Sequence, residues 1–116
     1  MKPNILIVDD EMNLARKLEM ALRHEYHVIS THQPERALEI FHNGDFDLVI
    51  SGIQMPKLSG FEILRTVKET HPLIGVILLT GEIPNKAEPT VKIPQRGAND
   101  YLLKPVRMRE LKVAIQ

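Results

Sequence analysis

Four side chains with chemistry of their own stand at the ends of apolar runs in this chain. Asp9 and Asp10 follow Ile5-Leu6-Ile7-Val8, Thr80 closes Val76-Ile77-Leu78-Leu79, and Lys104 follows Tyr101-Leu102-Leu103. Carboxylates attract a hard cation, whereas an ammonium and a hydroxyl attract an anion. Gathered in one place, the four could hold either. A further run, Leu48-Val49-Ile50-Ser51, is closed by Gly52, which brings no side chain at all.

The elements between these residues are expected to bring them together. Ile5–Val8 is short, apolar and β-branched, as a strand buried on both faces must be. Leu14, Leu18, Ala21 and Leu22 recur at helical spacing and predict a helix over about Met12–His24. His27–Thr31 is a less apolar strand, expected nearer an edge. Pro34 suits the first turn of a second helix, striped by Ala37, Leu38 and Phe41 and stopped at Asn43-Gly44. Leu48–Ser51 is the third strand. A helix through Phe61, Ile63, Leu64 and Val67 follows and closes at His71-Pro72. Val76–Thr80 and Asp100–Leu103 are the fourth and fifth strands. Leu111, Val113, Ala114 and Ile115 begin a last helix.

Alternating strands and helices imply a parallel sheet covered on both faces. In such sheets, chemistry collects at the carboxyl ends of the strands. Asp9, Asp10, Gly52, Thr80 and Lys104 all fall at such ends. The fourth crossover departs from the pattern, because residues 81–97 hold Pro84, Pro89 and Pro94. A proline inside a helix costs about 3 kcal/mol, so the fourth helix is expected to be short or irregular.

Composition narrows the class. One hundred and sixteen residues suit a single domain over 1–116, either standing alone or as the N-terminal part of a longer chain. The chain has no cysteine, hence no disulfide or thiol chemistry. No apolar run approaches the roughly 18 residues of a membrane span, and the N-terminus lacks the pattern of a secretory signal. A cytoplasmic location is the expectation. Net charge is zero but uneven: residues 1–85 carry 8 basic and 12 acidic side chains (−4), and residues 86–116 carry 7 and 3 (+4). This reads as an ordinary solvated surface or as a C-terminal face for an acidic partner.

The motifs resemble the receiver domain of bacterial two-component response regulators, the CheY-like family. The matching pieces are Ile5–Val8 with Asp9-Asp10-Glu11, Asp47 through Ser51, Gln54-Met55-Pro56 with Ser59-Gly60-Phe61-Glu62, Leu79-Thr80-Gly81, and Gly97-Ala98-Asn99-Asp100-Tyr101 through Lys104-Pro105. They follow the family's order over almost the whole chain. The resemblance implies a doubly wound, flavodoxin-like sheet of five parallel strands in the order 2-1-3-4-5. It implies that Asp9 and Asp10 are the acidic pair that holds Mg²⁺, with the backbone carbonyl of Gln54 completing the metal site. Thr80 and Lys104 match the residues that attend the phosphoryl group, and Tyr101 matches the aromatic switch. The acceptor aspartate, which takes a phosphoryl group from a histidine kinase, aligns with Gly52. Glycine cannot form an acyl phosphate and supplies no ligand, so Mg²⁺ is expected to bind weakly. Lys104 is then expected to pair directly with Asp9 or Asp10. Ser51, the neighbouring hydroxyl, points to the other side of the strand and is a poor substitute acceptor. Glu82, just beyond Thr80, is expected to face solvent.

The resemblance makes the expected protein a receiver of a two-component phosphorelay, not an enzyme, acting without aspartyl phosphorylation through protein–protein contact. Its partner face is the family's fourth helix, fifth strand and fifth helix. The expected partners are a histidine kinase, an output domain or a second copy, with nucleic acid reached only through an output domain that this sequence does not contain. One alternative is a small-ligand or cation-binding module using the vacated acidic recess. Another is an ordinary phosphorylatable receiver in which glycine has been substituted at the acceptor site. Blander readings exist for each residue. Asp9-Asp10 suits a helix N-terminus, Gly52 suits a close backbone approach, and Tyr101 suits a sheet edge. The histidines at 24, 27, 32, 42 and 71 show no ligand spacing, and Arg107, Arg109 and Lys112 suit a solvated helix face.

Overall fold

A computed structural model describes residues 2–81 and 100–115. Five strands pair in parallel: β1 (Asn4–Val8), β2 (His27–Thr31), β3 (Leu48–Gly52), β4 (Gly75–Thr80) and β5 (Asp100–Leu103). Their order across the sheet is β2-β1-β3-β4-β5, as the resemblance implies. Four helices are described: α1 (Met12–Leu22), α2 (Pro34–Asn43), α3 (Gly60–Thr70) and α4 (Met108–Ile115). The expected irregular fourth helix, its three prolines and Glu82 lie outside the described residues.

Strand composition follows position in the sheet. The central strands β1, β3 and β4 are buried on both faces. The edge strands β2 and β5 are only partly buried, which is why they tolerate polar residues. Alternate residues of the central strands face opposite sides. Leu6, Val8, Val49, Val76 and Leu78 pack on one side with Ala37 and Phe41 of α2 and Ile63, Leu64 and Val67 of α3. Ile5, Ile7, Ile50, Ile77 and Leu79 pack on the other with Ala15, Leu18 and Leu22 of α1 and Leu111 of α4. Two cores, one per face, therefore hold the sheet.

Two details differ from the sequence expectation. Val113 is 66% exposed, so the buried stripe of α4 centres on Leu111 and leaves Val113 outside. Gly44 ends α2 with extended backbone, not a left-handed turn. What calls for glycine there is crowding, since a Cβ would lie 2.5 Å from the Phe46 ring.

Candidate functional site

Backbone bonds just past the strand ends set the positions of the site residues. The Asp9 N–H donates to Thr31 O (3.1 Å), Ile53 N–H to Leu79 O (3.0 Å) and Lys104 N–H to Thr80 O (2.7 Å). Each extends the sheet ladder by one residue, so Asp9, Gly52 and Lys104 arrive at one edge in fixed register.

Asp9 is fully buried, and Lys104 keeps 17% of its side chain exposed. The Lys104 Nζ lies 3.0 Å from Asp9 Oδ2 and donates a hydrogen bond to Oδ1 at 3.3 Å. It also donates to Glu11 Oε1 at 2.7 Å. The Glu11 backbone N–H in turn donates to Asp9 Oδ1 (3.0 Å). Asp9 Oδ2 accepts no aligned hydrogen bond, so its attraction to Lys104 is ionic only.

Gly52 ends β3 and is buried. A Cβ built there would stand 2.7 Å from Asp9 Oδ2, 3.2 Å from Asp9 Cγ and 3.5 Å from Met55 Cγ. The Asp9 carboxylate thus leans over the bare backbone of Gly52. On its other side the Gly52 carbonyl meets Gly60, where a Cβ would collide with it. Ser51 is buried, and its Oγ donates to the Gly52 carbonyl (2.8 Å).

The other expected residues divide between the edge and solvent. Thr80 is buried at the end of β4, opposite Leu103 of β5. Tyr101 is half-buried and packs against the α2–α3 core. Asp10 and Gln54 are exposed, and all five histidines are exposed. The lysine's partners are Asp9 and Glu11. Glu11 was not singled out from sequence as a site residue, although it is the third acid of the run Asp9-Asp10-Glu11. It is also the N-cap residue of α1 and makes no side-chain cap. Its carboxylate lies on Lys104 instead.

Burial and charge act in opposition here. Burial pushes the Asp9 carboxyl above its ordinary range, against the Glu11 N–H and the Lys104 ammonium, which pull it down. Burial pulls the Lys104 ammonium down, but Glu11 and Asp9 outweigh it and hold it above its ordinary value. The two directions have different origins: burial outweighs the Lys104 charge at Asp9, whereas two carboxylates outweigh burial at Lys104.

Mg²⁺ demands near-octahedral oxygen coordination at about 2.1 Å. The residues present do not fit it. An ammonium already lies on both Asp9 and Glu11, and position 52 has no side-chain oxygen. Among the described residues, no group of three or more acidic or histidine side chains converges as a metal site would require.

Comparison with known proteins agrees with this architecture. The family profile described as "Response regulator receiver domain" matches residues 5–116. The two-component response regulator ARR12 of Arabidopsis thaliana is 41% identical over 111 residues, which are 93% of this chain and 18% of that protein. The uncharacterized transcriptional regulatory protein YkoG of Bacillus subtilis is 39% identical over 118 residues, 99% of this chain and 50% of that one. The chain thus spans half or less of the length of these curated relatives. Among solved structures, a receiver domain from Clostridium thermocellum is 34% identical, with a TM-score of 0.86 over 97% of this chain and 90% of that one. TrrA of Thermotoga maritima, in complex with Mg²⁺-BeF, is 33% identical, with a TM-score of 0.82 over 99% of this chain and 96% of that one.

Proposed function

The chain belongs to the response regulator receiver domain family of two-component systems, and from that premise we propose that it signals without aspartyl phosphorylation, through protein contact. The observation that carries this reading is at Gly52. The residue at the carboxyl end of β3, facing Asp9 and near Lys104, has no atom that could accept a phosphoryl group, and Asp9 Oδ2 lies 2.7 Å from where its Cβ would stand. An acyl phosphate needs a carboxylate oxygen as nucleophile, and position 52 offers none.

Receiver domains interact with histidine kinases and output domains. The proposed partner face here is β5 with α4, the helix that corresponds to the family's fifth. Leu103 and Val113 are 48% and 66% exposed on those elements, which suits a surface that a partner covers. We assign the domain no catalysis of its own. The proposed setting is cytoplasmic; among the described residues no helix is long and apolar enough to cross a membrane. A ligand-binding role for the recess is not favoured, since Asp9 and Lys104 fill the space it would need.

The test is incubation with a small phosphodonor and Mg²⁺, read by intact-mass spectrometry. The wild type should gain no phosphoryl mass. Gly52→Asp should gain one if the rest of the edge is still a receiver site. Phosphorylation of the wild type would overturn the reading.

A further inference from the structure

We propose that Lys104 is the resident cation of this edge and that Glu11 holds it there, so that an internal ion-pair clamp stands where a divalent ion would otherwise bind. Asp9 is a fully buried carboxylate, and an ionised group there needs a cation close by. The cation it meets is the Lys104 Nζ, at 3.0 Å from Oδ2. A single buried anion would leave that ammonium's other hydrogens to solvent, since Lys104 is 17% exposed. Glu11 supplies an acceptor at 2.7 Å.

The position of Glu11 is not that of an incidental surface partner. It touches both members of the buried pair, its backbone N–H on Asp9 Oδ1 and its carboxylate on Lys104. It stands where a helix cap is wanted, yet its side chain caps nothing. Shorter residues favour that position because they reach the first-turn N–H groups. A glutamate reaches past them, and this one reaches the lysine after β5. The clamp therefore ties the β1–α1 junction to the β5–α4 junction across 93 positions of sequence.

Gly52 is what permits this arrangement. Any side chain at position 52 would press on Asp9 at 2.7 Å and turn its carboxylate away from its present place. The bare backbone and the inward carboxylate thus fit each other. A divalent ion that used Asp9 would have to displace the ammonium, and position 52 would offer it no carboxylate in return. The inference uses the functional reading above only in placing Gly52 at the vacated position. It concerns cation binding, whereas that reading concerns phosphoryl transfer, so the two fail in different experiments.

The test uses the intact chain and two readouts. In wild-type protein, ¹⁵N-edited NMR should show one lysine ammonium protected from solvent exchange, assigned by its absence from Lys104→Arg. It should persist through a titration with MgCl₂ and lose its protection in Glu11→Gln. In thermal unfolding, MgCl₂ should leave the wild-type midpoint unchanged relative to NaCl of equal ionic strength. Lys104→Met should gain a Mg²⁺-dependent rise in midpoint, because two carboxylates have lost their cation. A wild-type midpoint that rises with Mg²⁺ as much as that of Lys104→Met would overturn the proposal. So would an unprotected Lys104 ammonium, or protection unaffected by Glu11→Gln. If Lys104→Met does not fold, the wild-type NMR titration and Glu11→Gln decide alone.

Discussion

Asp9 is a buried carboxylate whose two oxygens are treated differently: Oδ1 accepts hydrogen bonds from Glu11 and Lys104, while Oδ2 has only the nearby charge. Its carboxyl is held above the ordinary value of 3.8. The folded state therefore binds this proton more tightly than the unfolded chain does. As pH rises through the window between the two values, Asp9 ionises and its contribution to stability falls. Compared with Asp9→Asn, the wild type is expected to lose stability as pH rises above about 4, measured as the difference in urea-unfolding free energy. A difference that grows with pH would mean that the Lys104 pair outweighs burial. Lys104 acts at the other end of the scale. Its folded value is raised above 10.5, so its contribution is present below that pH and is lost as pH rises through the folded value.

At the scale of elements, the start of α3 shows two kinds of constraint side by side. Ser59 is a reciprocal cap: its Oγ accepts from the Glu62 N–H at 3.3 Å, and Glu62 Oε1 accepts from the Ser59 N–H at 3.5 Å. Ser59→Ala should cost about 1 kcal/mol in urea unfolding, the usual price of a lost cap. Gly60 is a close approach, since a Cβ there would meet the Gly52 carbonyl and lie 2.8 Å from Ile53 Cα. Backbone cannot yield as a side-chain tip can. Gly60→Ala should therefore cost about 3 kcal/mol or more in the same assay, clearly above the cap variant. The cap is a matter of residue type at a fixed spacing, so Ser59 and Glu62 are local facts. The Gly60 constraint is not local, because it depends on the end of β3 lying against the first turn of α3.

Across the whole molecule, the sheet separates two cores. Leu64 belongs to the α2–α3 side and Leu18 to the α1–α4 side, and both are almost fully buried. Each Leu→Ala change should cost about 2–5 kcal/mol, since each removes buried methyl groups and leaves a cavity. The two losses should add within about 0.5 kcal/mol in a double-mutant cycle, because the two side chains share no cluster. A larger coupling would mean that strain passes through the sheet. The clamp joins elements at the same scale, linking the end of β1 to the end of the edge strand β5 through Asp9, Glu11 and Lys104.

The apolar runs by themselves determined the parallel sheet and the strand ends at which Asp9, Gly52, Thr80 and Lys104 gather. A buried parallel strand must be apolar throughout, and that requirement is written in consecutive residues. Short-range spacing likewise determined the first three helices to within about two residues. Only the tertiary structure decided what the gathered residues do to one another. It turned Asp9 inward and left Asp10 in solvent, and it brought Glu11 to Lys104 across 93 positions. It also set the Asp9 carboxylate over the bare Gly52 and left Val113 outside the last helix's packing. Side-chain direction and charge pairing depend on which backbone atoms meet across the fold, and no local pattern in the chain encodes a meeting of that kind.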